Sequence, residues 1–137
     1  MTAKKKKTQA VRPKLRVAVV GVGYLGKFHA EKYARMPDVE LVGVVDANRT
    51  QADGIARQYG TQAFYNHIDL MGRVDAVSIA VPTELHYAIS RDFLGNDVDL
   101  LIEKPITSQL EQADDLLQMA ERRGCIIQVG HLERFNP

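Results

Sequence analysis

From Leu15 onward the chain alternates short apolar runs with longer amphipathic stretches. The runs are LRVAVV (15–20), ELVGVVD (40–46), VDAVSIAV (74–81), VDLLIE (98–103) and CIIQVG (125–130), all rich in Val and Ile. Strands that are apolar throughout need cover on both faces, as strands of a parallel sheet have. Between the runs lie YLGKFHAEKYARM (24–36), RTQADGIARQYG (49–60), ELHYAISRDFLG (84–95) and SQLEQADDLLQMAERRG (108–124), which predict helices. In the last of these, Leu110, Ala113, Leu116, Leu117 and Ala120 recur at helical spacing. Ser108 with Glu111 three residues on forms a capping pattern, and Gly124 closes the helix. AFY (63–65) is a weaker, short strand.

Strand–helix–strand repetition implies right-handed crossovers. Six strands in this order predict an α/β fold, a doubly wound parallel six-stranded sheet of the Rossmann type, as a single domain over residues 14–130. The lysine-rich segment of residues 1–13 reads as a basic disordered tail, and residues 131–137 as the start of a linker.

Composition narrows the function classes. With 45% hydrophobic and 26% charged residues, 137 residues suffice for one soluble domain with a real core. A formal net charge of +1 gives the body no bias toward nucleic acid or an anionic membrane, and no run is long enough to span one. The N-terminus has positive charge without the apolar segment of a signal peptide. One cysteine, Cys125, excludes an internal disulfide and fits a cytoplasmic protein. No Cys/His cluster has metal-ligand spacing.

The chemistry begins at VVGVGYLGKF, where Gly21, Gly23 and Gly26 stand in the G-x-G-x-x-G spacing between a predicted strand and a predicted helix. Gly21 suits a tight turn, Gly23 a close approach of backbone to a pyrophosphate, and Gly26 close helix–sheet packing. The helix N-terminus, with Tyr24 and Leu25 in its first turn, offers unpaired N–H groups and partial positive charge to phosphates. Asp46 ends the next strand, twenty positions after Gly26, where a carboxylate can accept from a ribose 2′-hydroxyl. A 2′-phosphate there meets like charge, about 4 kcal/mol per charge pair at 4 Å and an effective dielectric near 20, so NAD is favoured over NADP. Arg49, three residues on, counters this by offering that phosphate a cation. Capping of the following helix is the other reading of Asp46.

VDLLIEKPITS ends the fifth run with Glu103, Lys104 and Pro105, at the sheet edge where ligands of such folds lie. Pro105 keeps Lys104 out of helical conformation. A lysine shielded from water beside a nicotinamide can have its pKa lowered toward neutrality and help manage a substrate hydroxyl proton. From spacing alone, a surface lysine paired with Glu103 is an equal reading.

GVGYLGKFHAEKY, AVPTELHYAI, IEKPIT and VGHLERFNP together resemble the nucleotide-binding half of the glucose–fructose oxidoreductase / inositol dehydrogenase / MocA (Gfo/Idh/MocA) family over about residues 13–137. The resemblance implies an oxidoreductase using NAD or NADP on a carbinol or carbonyl of a sugar, cyclitol or sugar nucleotide. It implies Lys104 as the catalytic lysine beside Glu103, and Pro82, Thr83 and His86 in a loop against the cofactor; a plain first-turn helix residue is the other reading of His86. It also implies that Arg134 and Asn136 lie where the chain passes over the nicotinamide. Such proteins continue into a second domain that binds substrate and forms a homo-oligomer; no such domain follows in this chain, which on that expectation binds cofactor and turns over little alone. A free-standing NAD(H)-binding sensor without catalysis is the alternative, and an S-adenosylmethionine domain a weaker one that leaves Glu-Lys-Pro unexplained. His29 and His67 read as surface or packing residues, and Cys125 as buried packing.

Overall fold

The computed structural model describes residues 13–130; the lysines of the tail and His131, Glu133, Arg134 and Asn136 lie outside them. Strands β1 (Leu15–Val20), β2 (Val39–Val45), β3 (Gln62–Phe64), β4 (Ala76–Ile79), β5 (Asp99–Glu103) and β6 (Ile127–Gly130) form one parallel sheet in the order β3-β2-β1-β4-β5-β6. Helices α1 (Tyr24–Arg35), α2 (Arg49–Tyr59), α3 (His86–Leu94) and α4 (Leu110–Arg123) connect them, with 3₁₀ turns at His67–Leu70 and Thr83–Leu85. This is the doubly wound Rossmann arrangement expected of the alternating runs.

Both faces of the sheet are covered, which is why its strands lack polar alternation. Val19 and Val44 pack on one face with Ala30, Ile55 and Ala56 of α1 and α2. Their neighbours Ala18, Val20 and Val45 point the other way, to a larger cluster holding Leu70, Phe93 and Leu116. The chain changes face between β3 and β4, because a right-handed crossover starting from the opposite end of the strand order must pass on the other side. β1 and β4 are therefore neighbours whose following loops turn in opposite directions, and a crevice opens between them.

Two helix ends differ from the sequence expectation. α4 starts at Leu110 with Gln109 as its N-cap and no side-chain cap, so Ser108 does not cap it; Thr107 instead donates to the Gln109 carbonyl at 2.6 Å. Its C-terminus is as predicted, with Gly124 left-handed at φ 69° and its N–H donating to the carbonyls of Ala120 and Glu121. Of its apolar positions, Ala113, Leu116 and Ala120 are buried while Leu110 and Leu117 are exposed. At 3.6 residues per turn the latter two sit roughly 40–60° beyond Ala113, on the side away from Leu116. Likewise the 84–95 helix begins at His86, because Pro82 leads into a separate 3₁₀ turn.

Candidate cofactor-binding site

The crevice is a cavity of about 450 Å³ at the carboxyl ends of β1 to β4. Its floor is the turn after β1. Gly21 adopts φ +93°, and a Cβ there would lie 2.9 Å from the backbone of Ala80, so the turn can press against the end of β4 only as glycine. A Cβ on Gly26 would lie 1.7 Å from the Gly21 carbonyl oxygen, so this glycine lets α1 close on its own entry turn more than on the sheet. At Gly23, which lines the cavity, an added Cβ would meet no protein atom within 4 Å. The space that its missing side chain leaves is open to a ligand. Gly23 is also the N-cap of α1, which has no side-chain cap and no acid in its first turn. Amides of that turn therefore remain for an anion, with the helix dipole behind them.

Asp46 lines the same cavity. Its Oδ2 accepts from the Val22 N–H at 3.0 Å and its Oδ1 from the Asn48 N–H at 2.9 Å. The carboxylate thus ties the end of β2 to the glycine turn. It does not cap α2: Asn48 does, accepting from the Gln51 N–H at 3.1 Å. A carboxylate has about four acceptor positions, so two remain for ribose hydroxyls. Arg49, the first residue of α2, has its guanidinium 4.0 Å over the Tyr65 ring, and the Tyr65 hydroxyl donates to Asp53 at 2.5 Å. That hydrogen bond, above all, keeps the Tyr65 phenol above its ordinary pKa.

The far wall holds residues that the sequence does not mark as part of the site. Tyr65, Asn66 and His67, directly after β3, line the cavity opposite Leu85 and Ile89. Their position at a strand's carboxyl end was the available signal. His67, expected as a surface or packing residue, has its Nε2 2.8 Å from the Asp92 carboxylate and its ring centroid 5.5 Å from that of Phe93.

The remaining candidates divide. Pro82 lines the cavity and Thr83 follows it into the 3₁₀ turn. Tyr24 is exposed and meets Phe28 edge-to-face at 5.1 Å, while Leu25 is half-buried beside it. His86 is 2% exposed and its ring faces backbone only: Nε2 lies 2.9 Å from the Val81 carbonyl, and Nδ1 lies 3.1 Å from those of Pro105 and Ile106. It clamps the loop after β4 to the loop after β5. Lys104 is exposed and its peptide with Pro105 is cis. Glu103 does not pair with it; the Glu103 carboxylate is buried against His29, with His29 Nε2 2.9 Å from Glu103 Oε2. Burial, with Asp99 and Asp97 adding to it, pushes the Cys125 thiol up and away from thiolate chemistry.

Fold, glycine turn, uncapped helix and strand-end acid define a dinucleotide-binding domain. The chain belongs to the oxidoreductase family with an NAD-binding Rossmann fold (GFO_IDH_MocA), whose family model matches residues 15–131. NAD is the cofactor of this domain class. Among curated relatives, UDP-N-acetylglucosamine 3-dehydrogenase of Acidithiobacillus ferrooxidans is 42% identical over 123 residues, covering 90% of this chain and 39% of the relative. An inositol 2-dehydrogenase of Rubrobacter xylanophilus is 34% identical over 128 residues, covering 90% and 37%. The solved structure of the Acidithiobacillus ferrooxidans enzyme, GnnA, superposes with a TM-score of 0.84 at 40% identity, over 92% of this chain and 41% of that one. GenD2 from gentamicin A biosynthesis, solved in complex with NAD, gives 0.84 at 29% identity, over 87% and 35%. The chain thus spans about two fifths of the length of the relatives it matches. Among the described residues no helix is long and apolar enough to cross a membrane.

Proposed function

We propose that this chain is the cofactor half of an oxidoreductase that moves hydride between NAD and a secondary alcohol or ketone of a sugar, cyclitol or sugar nucleotide. The observation that carries this is the coupling of Asp46 to the glycine turn: one carboxylate braces the Val22 amide and lines the cavity into which Gly23 opens. A diphosphate fits over the first turn of α1, and an adenosine ribose fits against Asp46 with its base toward Tyr65, Asn66 and Leu85. The negative charge of Asp46 favours NAD over NADP, with Arg49 as the opposing influence.

The nicotinamide, when bound, supplies the hydride acceptor or donor. In this reading Lys104, exposed just after β5, hydrogen-bonds the reacting hydroxyl and manages its proton. Substrate choice, a homo-oligomer and further acid–base groups belong to a second domain contributed beyond the fold described here. The relatives' names, which include a UDP-sugar and inositols, support that substrate class.

Titrating the purified chain with NADH while following nicotinamide fluorescence tests the reading. Saturable binding at micromolar to sub-millimolar cofactor, weaker for NADPH, is expected. A flat titration into the millimolar range would overturn it.

A further inference from the structure

Behind the candidate site, three buried polar side chains, His29, Ser78 and Glu103, are linked to one another and to the half-buried Tyr33. Tyr33 OH lies 2.6 Å from Ser78 Oγ, Ser78 Oγ lies 3.0 Å from His29 Nδ1, and His29 Nε2 lies 2.9 Å from Glu103 Oε2. His29 is 4%, Ser78 0% and Glu103 6% exposed. These residues come from α1, β4 and the last position of β5, so the linkage crosses from helix to sheet and ends one residue before Lys104.

A carboxylate and an imidazole this deep cost several kcal/mol to desolvate and are retained only where hydrogen bonds satisfy them. A core of the same volume could be made from Val and Leu, as the rest of this sheet is. The polar groups are mutually satisfied in one direction. Glu103 can only accept when ionised, so His29 Nε2 carries the hydrogen facing it; Nδ1 then accepts from the Ser78 hydroxyl, which accepts from Tyr33. Burial above all raises the Tyr33 pKa, so that its hydroxyl keeps the proton it donates. Each partner fixes the tautomer or rotamer of the next, and the last group fixed is Glu103.

We propose that His29 is a positioning residue for Lys104, acting through the Glu103 carboxylate, and that Ser78 and Tyr33 hold the His29 ring in the tautomer this requires. With Glu103 drawn under α1, the backbone leaves β5 in one direction, and Lys104 is presented outward instead of collapsing onto its acidic neighbour. Gly130 of β6 leaves room for this, since a Cβ there would come 3.3 Å from Glu103 Oε2. The inference rests on Lys104 being the lysine that meets the substrate.

The test uses the whole chain and acetic anhydride as a probe. Acetylation of Lys104 is followed by peptide mass spectrometry, relative to Lys27 on the exposed side of α1, with and without saturating NADH. In the unaltered chain NADH is expected to protect Lys104 several-fold; no protection despite NADH binding would count against the functional reading, whatever His29 does. His29→Leu is expected to change the Lys104 to Lys27 ratio, or its NADH protection, at least threefold while NADH affinity stays within about twofold. Glu103→Ala should do the same, the double variant should add nothing further, and Glu103→Gln, which still accepts from His29, should restore most of the difference. Should His29→Leu fail to fold, Ser78→Ala and the Glu103 pair carry the same comparison. Lys104 reactivity and protection unchanged across these variants, with NADH still protecting, would overturn the proposal.

Discussion

Asp46 accepts a hydrogen bond from the Val22 N–H at 3.0 Å, joining the end of one strand to the glycine turn that follows another, 24 residues earlier. Val22 is fully buried, so its amide has no water to turn to. The residue that the dinucleotide reading assigns to the ribose is therefore also the brace of the turn assigned to the diphosphate.

Replacing Asp46 should accordingly do two separable things. Asp46→Ala leaves the Val22 amide unpaired and should lower stability by about 1–3 kcal/mol, read by chemical denaturation. Asp46→Asn retains an acceptor and should cost less. Both should weaken NADH binding at least about tenfold, while NADPH loses less because a like charge has gone; the NADH to NADPH preference should fall in both. An unchanged preference would refute the assignment of Asp46 to the ribose.

Gly23 and Gly26 predict opposite outcomes for the same substitution. Gly23→Ala meets no protein atom and its φ of −71° suits alanine, so the melting temperature should hold or rise slightly. NADH affinity should nonetheless drop by an order of magnitude or more, because the added methyl occupies ligand space. Gly26→Ala brings a methyl to 1.7 Å from the Gly21 carbonyl and should destabilise the fold by several kcal/mol, whether or not cofactor is present. Calorimetry of both variants with and without NADH separates the two effects.

His86 predicts a coupled loss. Its ring is the only side chain donor that the described residues place against the carbonyls of Val81, Pro105 and Ile106. His86→Leu removes the imidazole from among these part-buried carbonyls and should cost about 1–3 kcal/mol. Hydrogen exchange should then accelerate around both residues 81–83 and residues 104–107, since one ring holds both loops. Exchange altered at only one of them would contradict the clamp.

At the amino ends of β1 and β4, the Arg16 guanidinium and backbone N–H hold the Asp75 carboxyl below the usual carboxylate range, against a smaller opposing effect of burial. A carboxyl lowered in the folded state stabilises it at pH values above about 4, where the unfolded group is ionised, and that stability is lost as pH falls through the lowered folded value. The stability difference between the unaltered chain and Asp75→Asn should be present at pH 6 and shrink below pH 4. Both side chains are some 40% exposed, so the difference should be modest and smaller still in high salt. A difference that does not vary with pH would rule out the pair as its source.

Much of this was written in local pattern. The continuous Val/Ile runs determined a sheet covered on both faces, because a strand has no other way to bury every side chain. Gly21, Gly23, Gly26 and Asp46 were legible because backbone geometry at a tight turn admits few residues and a strand end admits few uses for an acid. Gly124 could be placed for the same reason, whereas Ser108 could not: a capping pattern is only an option, and Thr107 and Gln109 took the turn instead. What the tertiary structure alone decided were pairings between residues far apart in the chain. His29 and Glu103 are 74 positions apart, and no local periodicity distinguishes a histidine on a helix that faces solvent from one that faces a buried carboxylate. Tyr65 and His67 became part of the cavity wall only because β3 lies two strands from β1, and Leu110 stayed exposed because the helix turned its other flank inward. Spacing along the chain fixes which elements form and where they turn; which side chains then meet depends on how those elements cross, and that is settled by packing.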